Sequence, residues 1–400
     1  MESPTHFKIS ILTSSSAWGG MEVHTAELAR TLDAMGHEIS IVEVGTDFYG
    51  RGRFNQGEKI KVTSLADAPL LRNPGLAKSI RILRKMKGEV CIFPKGDIYS
   101  GSWRLDLVAR LMFSRYITIE HKASLPLPPK SSRRHLGGLL PGVGMWWIKA
   151  KIINFLRSLW PHRVICVSYN VGKGLIDYHG FSSRKITTVH NGIDPDRFQP
   201  RPDCRAAARQ KWGIPQDAVV FGSIGRLHTW KGFDLALELF RKLVSNATSR
   251  DLWFVLVGNG PDHDFLKQMA EEPEIRDRVR LIEFTDKPWE IYPAFDVFLM
   301  PSHMEGLPLS LLEAMACGCC PIAMGVGGIP EVVTDPCLGW LVPQDDKLGF
   351  FDAMQAAAGM EPDRLKEMGR KARDHVVMHF EAGRQFSALA NLIENECRKK

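Results

Sequence analysis

Val297-Phe298-Leu299-Met300-Pro301-Ser302-His303-Met304-Glu305-Gly306-Leu307-Pro308-Leu309-Ser310-Leu311-Leu312-Glu313-Ala314-Met315-Ala316-Cys317-Gly318 is the most informative stretch of the chain. The apolar run Val297–Met300 reads as a buried strand. Pro308 suits the first position of a helix, and Leu309, Leu312 and Ala316 then fall on one helical face. A strand therefore ends, a glycine-containing loop turns, and a helix points its free amide N–H groups at the turn. Such a turn binds anions. Two carboxylates, Glu305 and Glu313, flank those donors. Carboxylates repel phosphate but accept hydrogen bonds from hydroxyls. A phosphate site between two hydroxyl acceptors matches a nucleotide-sugar, with diphosphate in the middle, ribose on one side and sugar on the other.

The cations come from an earlier strand-to-helix turn. Ala218–Gly225 reads as a strand running into a glycine turn, Arg226 and Lys231 follow in one loop, and an amphipathic helix begins at Phe233. Arginine can grip a phosphate through two N–H groups, while lysine acts as a compact charge. Together they can neutralise a departing diphosphate without a metal ion.

These residues carry a resemblance. Gly225-Arg226…Lys231-Gly232 and Glu305…Glu313 resemble the motifs of the retaining GT-B glycosyltransferases of family 4. Val189-His190-Asn191-Gly192-Ile193-Asp194, Val257-Gly258-Asn259-Gly260-Pro261 and Gly327-Gly328-Ile329-Pro330-Glu331 extend it. It spans essentially the whole chain and is densest from Thr187 to Val342. It implies an α/β fold of two Rossmann-like, doubly wound parallel-sheet domains facing across a cleft. Residues 1–182 would form the acceptor-binding domain and 183–380 the nucleotide-sugar domain. A last helix, 381–400, would cross back to the first.

The resemblance also assigns roles. Glu313 would bind the ribose hydroxyls and Glu305 the donor sugar. The backbone of Gly306, Leu307, Leu309 and Ser310 would hold phosphate and sugar oxygens, with Gly225 beside Arg226 in the cationic turn. Gly19 and Gly20 would let the first strand-to-helix turn approach the diphosphate closely. His121 matches a position facing the donor sugar, and His24 is a weaker candidate. The region near Phe284 would meet the base. The implied chemistry is retaining transfer of a hexose or N-acetylhexosamine to a hydroxyl of a glycan or lipid-linked acceptor, in polysaccharide, lipopolysaccharide or other envelope synthesis. The leaving diphosphate would help deprotonate the acceptor, with no metal and no cofactor. UDP-, GDP- and ADP-sugars all occur as donors on this scaffold; a UDP-sugar is favoured here, with GDP-mannose second. A scaffold that only binds nucleotide-sugar is the non-catalytic alternative.

Composition bounds these readings. The 400 residues exceed what one core usually supports. An apolar content of 44% and a charged content of 24% are ordinary for a globular protein. No run approaches the roughly 18 to 20 apolar residues of a membrane span, and the N-terminus lacks a secretory pattern. Eight cysteines, three of them clustered at Cys317, Cys319 and Cys320 across a helix end and a strand start with no pair of histidines beside them, read as buried thiols in a reducing compartment. There is no G-x-G-x-x-G after the first strand and no Walker sequence. Asp194-Pro195-Asp196 and Asp262-His263-Asp264 match the metal-binding Asp-x-Asp string, but such strings are short.

The net charge is +7. Lys122, Lys130, Arg133, Arg134, Lys149, Lys151, Arg157 and Arg163 occur in a stretch with no Asp or Glu. Within it Met145–Trp160 mixes aromatic and basic residues, the composition of an interfacial helix. This predicts peripheral contact with anionic membrane through 122–163, and a cytoplasmic protein at the inner membrane face. Pro126–Arg134 reads as a mobile loop. No nucleic-acid motif accompanies the basic stretch.

Overall fold

A computed structural model describes residues 6–14, 19–49, 54, 58–65, 75–96, 103–122, 152–246 and 250–399. The chain divides into two compact units, Met1–His190 with Gln385–Lys400, and Asn191–Arg384. Strands alternate with helices in both, which is why every named pairing is parallel: each crossover must carry the chain back across the sheet.

The first unit holds β1 (Lys8–Thr13), β2 (Glu38–Val44), β3 (Lys61–Leu65), β4 (Val90–Lys95), β5 (Arg115–Glu120), β6 (Arg163–Cys166) and β7 (Ile186–Thr188). Their order in the sheet is β3-β2-β1-β4-β5-β6-β7. Leu12, Val42, Phe93, Leu105 and Tyr116 belong to one buried cluster on this sheet. A division after residue 182 would put Ile186–Thr188 in the second domain. Instead Ile186–Thr188 pairs with Val164–Cys166 and ends the first sheet, and the units divide after His190 rather than after residue 182. Only the backbone pairing reveals this, because a three-residue strand has no periodicity of its own.

The helix Ala382–Arg398 buries Phe386, Leu389, Ala390 and Ile393, and most of it packs within the first unit. Arg163 donates to Glu396 through Nε at 2.8 Å, and Arg115 Nε reaches the Glu396 carbonyl at 2.7 Å.

A buried ionic cluster lies in the same unit. The Lys95 ammonium is 2.9 Å from Asp106 Oδ1 and 3.7 Å from Glu120, Arg157 Nε donates to Asp106 Oδ2 at 3.2 Å, and the Tyr116 hydroxyl donates to Asp106 Oδ1 at 2.5 Å. Burial alone would raise the Asp106 carboxyl; Lys95, Arg157 and Tyr116 outweigh it and hold the group below its usual range. This cluster corrects the reading of the basic stretch. Arg157 serves that interior ion pair, and half-buried Arg163 is taken up by Glu396. On helix 152–159 the exposed side chains are Ile152, Ile153, Phe155, Leu156 and Leu159, so its outer face is apolar. The rest of the expected membrane-contact stretch, 123–151, and with it the Pro126–Arg134 loop, lies outside the described residues. Among the described residues no helix is long and apolar enough to cross a membrane.

The second unit holds β8 (Val219–Ile224), β9 (Leu252–Val257), β10 (Val279–Ile282), β11 (Val297–Met300), β12 (Cys320–Met324) and β13 (Trp340–Val342), in the order β10-β9-β8-β11-β12-β13. The strand order reverses between β8 and β11, whose Phe221 and Gly222 pair with Val297 and Phe298. Asp296 sets that pairing. One of its oxygens accepts from the Val220 amide at 2.8 Å and from buried Arg209 at 2.8 Å, and Arg205 binds the other at 2.7 Å.

Candidate functional site

In a doubly wound sheet, ligands bind beyond the C-terminal strand ends where the order reverses, because the two neighbouring loops splay apart there. In the second unit these are the loops after β8 and β11, the two that carry Arg226, Lys231 and Glu305. They are stitched together: the His303 amide donates to the Trp230 carbonyl at 2.8 Å, and the Ser223 hydroxyl to the Leu299 carbonyl at 2.9 Å.

Glycine makes this close packing possible at two points. Gly232 has φ +66°, and a Cβ there would strike the Pro301 carbonyl; Gly327 has φ +55°, and a Cβ there would strike the Glu305 carbonyl. The Gly328 amide donates to the Gly306 carbonyl, and the Asn191 side-chain amide donates to the Leu307 carbonyl at 2.7 Å. The glycine-rich motifs thus hold the Glu305–Leu307 backbone from two sides.

The structure brings Lys231 and Glu305 together. The ammonium lies 2.6 Å from Glu305 Oε1, which also accepts from the Ser302 hydroxyl at 2.8 Å. Glu305 is buried. Arg226 is exposed and makes no hydrogen bond or ion pair among the described residues. Pro308 was expected to open the next helix; it is the cap, and the helix runs Leu309–Ala316. A proline cap offers no side-chain acceptor to the first turn. The amides of Leu309 and Ser310 in that first turn, and those of Gly306 and Leu307 before the cap, donate to nothing among the described residues, leaving a row of anion-seeking N–H groups in the segment that follows Glu305, the partner of Lys231.

Glu313 lies one helical turn further on and is half-buried. Its Oε2 accepts from the hydroxyl of fully buried Tyr292 at 2.7 Å. Burial pushes its carboxyl up to about 7, opposed by the Tyr292 hydrogen bond and by Arg197. Arg197 itself lies over the Trp289 ring, 3.9 Å from its centroid. Gly225 packs against the Phe233 ring and donates its amide to Val257, while Phe284, beyond β10, is 53% exposed and open to a stacking partner.

In the first unit, β1 leads to Gly19 and Gly20. Both are exposed, and Gly19 caps helix Gly20–Ala34 in an extended conformation. His121 follows β5 and is buried; its amide donates to the Lys95 carbonyl at 3.0 Å. Its ring meets His24 edge to face, with 5.0 Å between centroids. Burial lowers His24 to about 4 and His121 well below its usual range, so both rings are neutral at pH 7. His24 Nδ1 and His121 Nε2 find no hydrogen-bond partner among the described residues.

Ser302, Tyr292 and Asn191 are site residues that sequence reasoning did not single out. Ser302 stands three places before Glu305, and its proximity was the one available signal. Tyr292 and Asn191 reach Glu313 and Leu307 from 21 and 116 positions away. The Asp194 carboxylate accepts the amides of Asp196 and Arg197 at 3.0 and 3.2 Å, which makes Asp194-Pro195-Asp196 a turn. Among the described residues no three His, Cys, Asp or Glu side chains cluster as metal ligands.

Comparison with known proteins bears on the family and the fold. A family described as "Glycosyl transferases group 1" matches residues 205–375, and "Glycosyltransferase Family 4" matches 18–197. A D-inositol 3-phosphate glycosyltransferase of Mycolicibacterium smegmatis is 32% identical over 383 residues, covering 86% of this chain and 84% of the relative. The enzyme of the same name from Saccharomonospora viridis is 36% identical over 216 residues, 52% of this chain and 49% of that protein, so the chain spans about half the length of some curated relatives it matches. A glycosyltransferase from Rickettsia africae superposes with a TM-score of 0.76 at 18% identity, covering 99% of this chain and 100% of that one. Anabaena HepE in complex with UDP gives 0.73 at 16%, covering 97% and 100%. At such identities these two likenesses show the fold.

Proposed function

The chain belongs to glycosyltransferase family 4 and has its GT-B fold, and from that premise we propose that it is a retaining, metal-independent transferase. Its donor is a nucleoside-diphosphate sugar, a UDP-sugar before GDP-mannose, and it delivers a hexose or N-acetylhexosamine to a hydroxyl of a glycan or lipid-linked acceptor. The observation that carries the reading is the Lys231 ammonium on Glu305, followed by the amides of Gly306, Leu307, Leu309 and Ser310, which have no partner among the described residues, and then by the Glu313 carboxylate. The UDP held by the similarly folded Anabaena protein supports the choice of base.

In the proposed reaction the diphosphate lies along the helix amides, and Lys231 and Arg226 take up the charge that grows on it. The bond from the anomeric carbon to the phosphate oxygen breaks, and the acceptor oxygen bonds to that carbon on the same face. The acceptor proton passes to the leaving phosphate oxygen. Glu305 orients the sugar and Glu313 the ribose. Gly225, Gly306, Leu307, Leu309 and Ser310 line the donor and Phe284 stacks on the base; for Gly19 and Gly20 a role toward the diphosphate, and for His121 a role toward the sugar, rest on the family resemblance alone. The first unit takes the acceptor. The apolar outer face of helix 152–159, with the basic residues before it, rests on anionic membrane at the cytoplasmic side.

The test is NMR of donor turnover with UDP-glucose, UDP-N-acetylglucosamine and GDP-mannose in excess EDTA. The proposal expects one donor to be consumed and its anomeric configuration kept. An inverted product, or activity abolished by EDTA, overturns the retaining or the metal-independent part. Flotation with anionic liposomes tests the membrane part. Wild type should float, and Phe155→Ser/Leu159→Ser should float less; no flotation at low salt overturns it.

A further inference from the structure

Tyr292 is the group that holds Glu313 ready, and the geometry points to it as a positioning residue that sets discrimination for the donor's ribose. The inference rests on the reading of Glu313 as the ribose acceptor given above.

The tyrosine is fully buried, and its ring is caged by Phe198, Phe295 and Phe298, with centroids 6.1, 6.2 and 5.8 Å away. Its backbone is fixed too: the Phe295 amide donates to the Tyr292 carbonyl at 3.0 Å, and the Cys319 thiol donates to the same oxygen at 3.3 Å. A side chain so confined has one place to aim its hydroxyl, and the hydroxyl meets Glu313 Oε2 at 2.7 Å. Glu313 Oε1 accepts no hydrogen bond among the described residues. Tyrosine therefore occupies one oxygen of the carboxylate and leaves the other for a ligand. A free glutamate on a helix samples several rotamers, and each hydroxyl bond must overcome that entropy; one already anchored does not.

A buried tyrosine beside a carboxylate could also be packing that satisfies two polar groups. The two roles separate in what they do to nucleotide preference. A packing residue changes stability and weakens all ligands alike. A positioning residue changes the preference for a nucleotide with ribose hydroxyls over one without them.

The experiment measures the dissociation constants of UDP and 2′,3′-dideoxy-UDP by calorimetry on wild type, Glu313→Gln and Tyr292→Phe, with thermal midpoints alongside. Wild type should prefer UDP by about 10- to 100-fold, the effect of hydrogen bonds to a charged acceptor. Glu313→Gln should erase most of that preference, and Tyr292→Phe should cut it at least about threefold with little change in dideoxy-UDP affinity. If Glu313→Gln keeps the wild-type preference, the ribose reading itself falls and this inference with it; if wild type binds GDP or ADP in place of UDP, the same ratio is read with that nucleotide and its dideoxy form, and binding of none of them overturns both. If Glu313→Gln erases the preference while Tyr292→Phe keeps it, the ribose reading stands and the inference is overturned. Should Tyr292→Phe not fold, Tyr292→Met fills the same cage without a donor and is read by the same ratio.

Discussion

Lys231 has two claims on its charge. In the ligand-free protein it neutralises Glu305; a bound diphosphate would compete for the same ammonium. Lys231→Ala should therefore lower kcat/KM by about 10²- to 10³-fold, the usual effect of removing one preorganised charge-stabilising group. It should also lower the thermal midpoint, because Glu305 stays buried with its neutralising partner gone. Adding Glu305→Gln should restore the midpoint without restoring turnover; a double variant no more stable than the single one would show that the pair is not what couples them. Glu313 gives a pH prediction. Its carboxyl is raised to about 7, chiefly by burial. Ribose hydroxyls donate to the ionised form, so nucleotide affinity should fall as pH drops through about 7 and level off above it. The stability effect has the opposite sign. The folded state holds the proton more tightly than the unfolded chain does, so Glu313's contribution to stability is present below the unfolded value and is lost as pH rises through about 7. Calorimetric UDP titrations from pH 5.5 to 8.5 test the first claim; an affinity independent of pH would contradict it.

At the scale of elements, Arg157 ties helix 152–159 to the sheet through Asp106. Arg157→Leu leaves that carboxylate short of a partner in the interior and should cost about 3–5 kcal/mol, read by denaturant unfolding. A cost below about 1 kcal/mol would mean that Lys95 and Tyr116 suffice. Gly327→Ala should also destabilise, by at least the roughly 1–2 kcal/mol of a left-handed alanine, with more for the clash with the Glu305 carbonyl. The sequence made the strand–loop–helix after Val297 legible because its signals are local: an apolar run, a glycine turn, a helical period. The same holds for the placement of Lys231 and Glu305 in strand-end loops, which the structure brings together. The strand Ile186–Thr188 was misassigned because its partner, not its composition, decides its sheet. The basic stretch was misread at Arg157 and Arg163 because composition reports charge but not the carboxylates it meets, Asp106 and Glu396. Tyr292 was invisible for the same reason: its role exists only once the chain brings it to Glu313.

At the scale of the molecule, both sheets reverse their strand order after the first strand of the unit, between β1 and β4 and between β8 and β11. That order puts the loops after β8 and β11 side by side, so Lys231 and Glu305, far apart in sequence, meet. The central claim is that this strand-end cluster binds a nucleoside diphosphate through Lys231 without a metal. The most direct test is a thermal-shift comparison of UDP, GDP, ADP and NAD, with and without EDTA, on wild type and Lys231→Ala. A ligand at about a hundred times its dissociation constant stabilises the protein by roughly 2.7 kcal/mol. The account predicts a shift with one nucleoside diphosphate, unchanged by EDTA and lost in Lys231→Ala. No shift with any of the four, or a shift that Lys231→Ala retains in full, would contradict it.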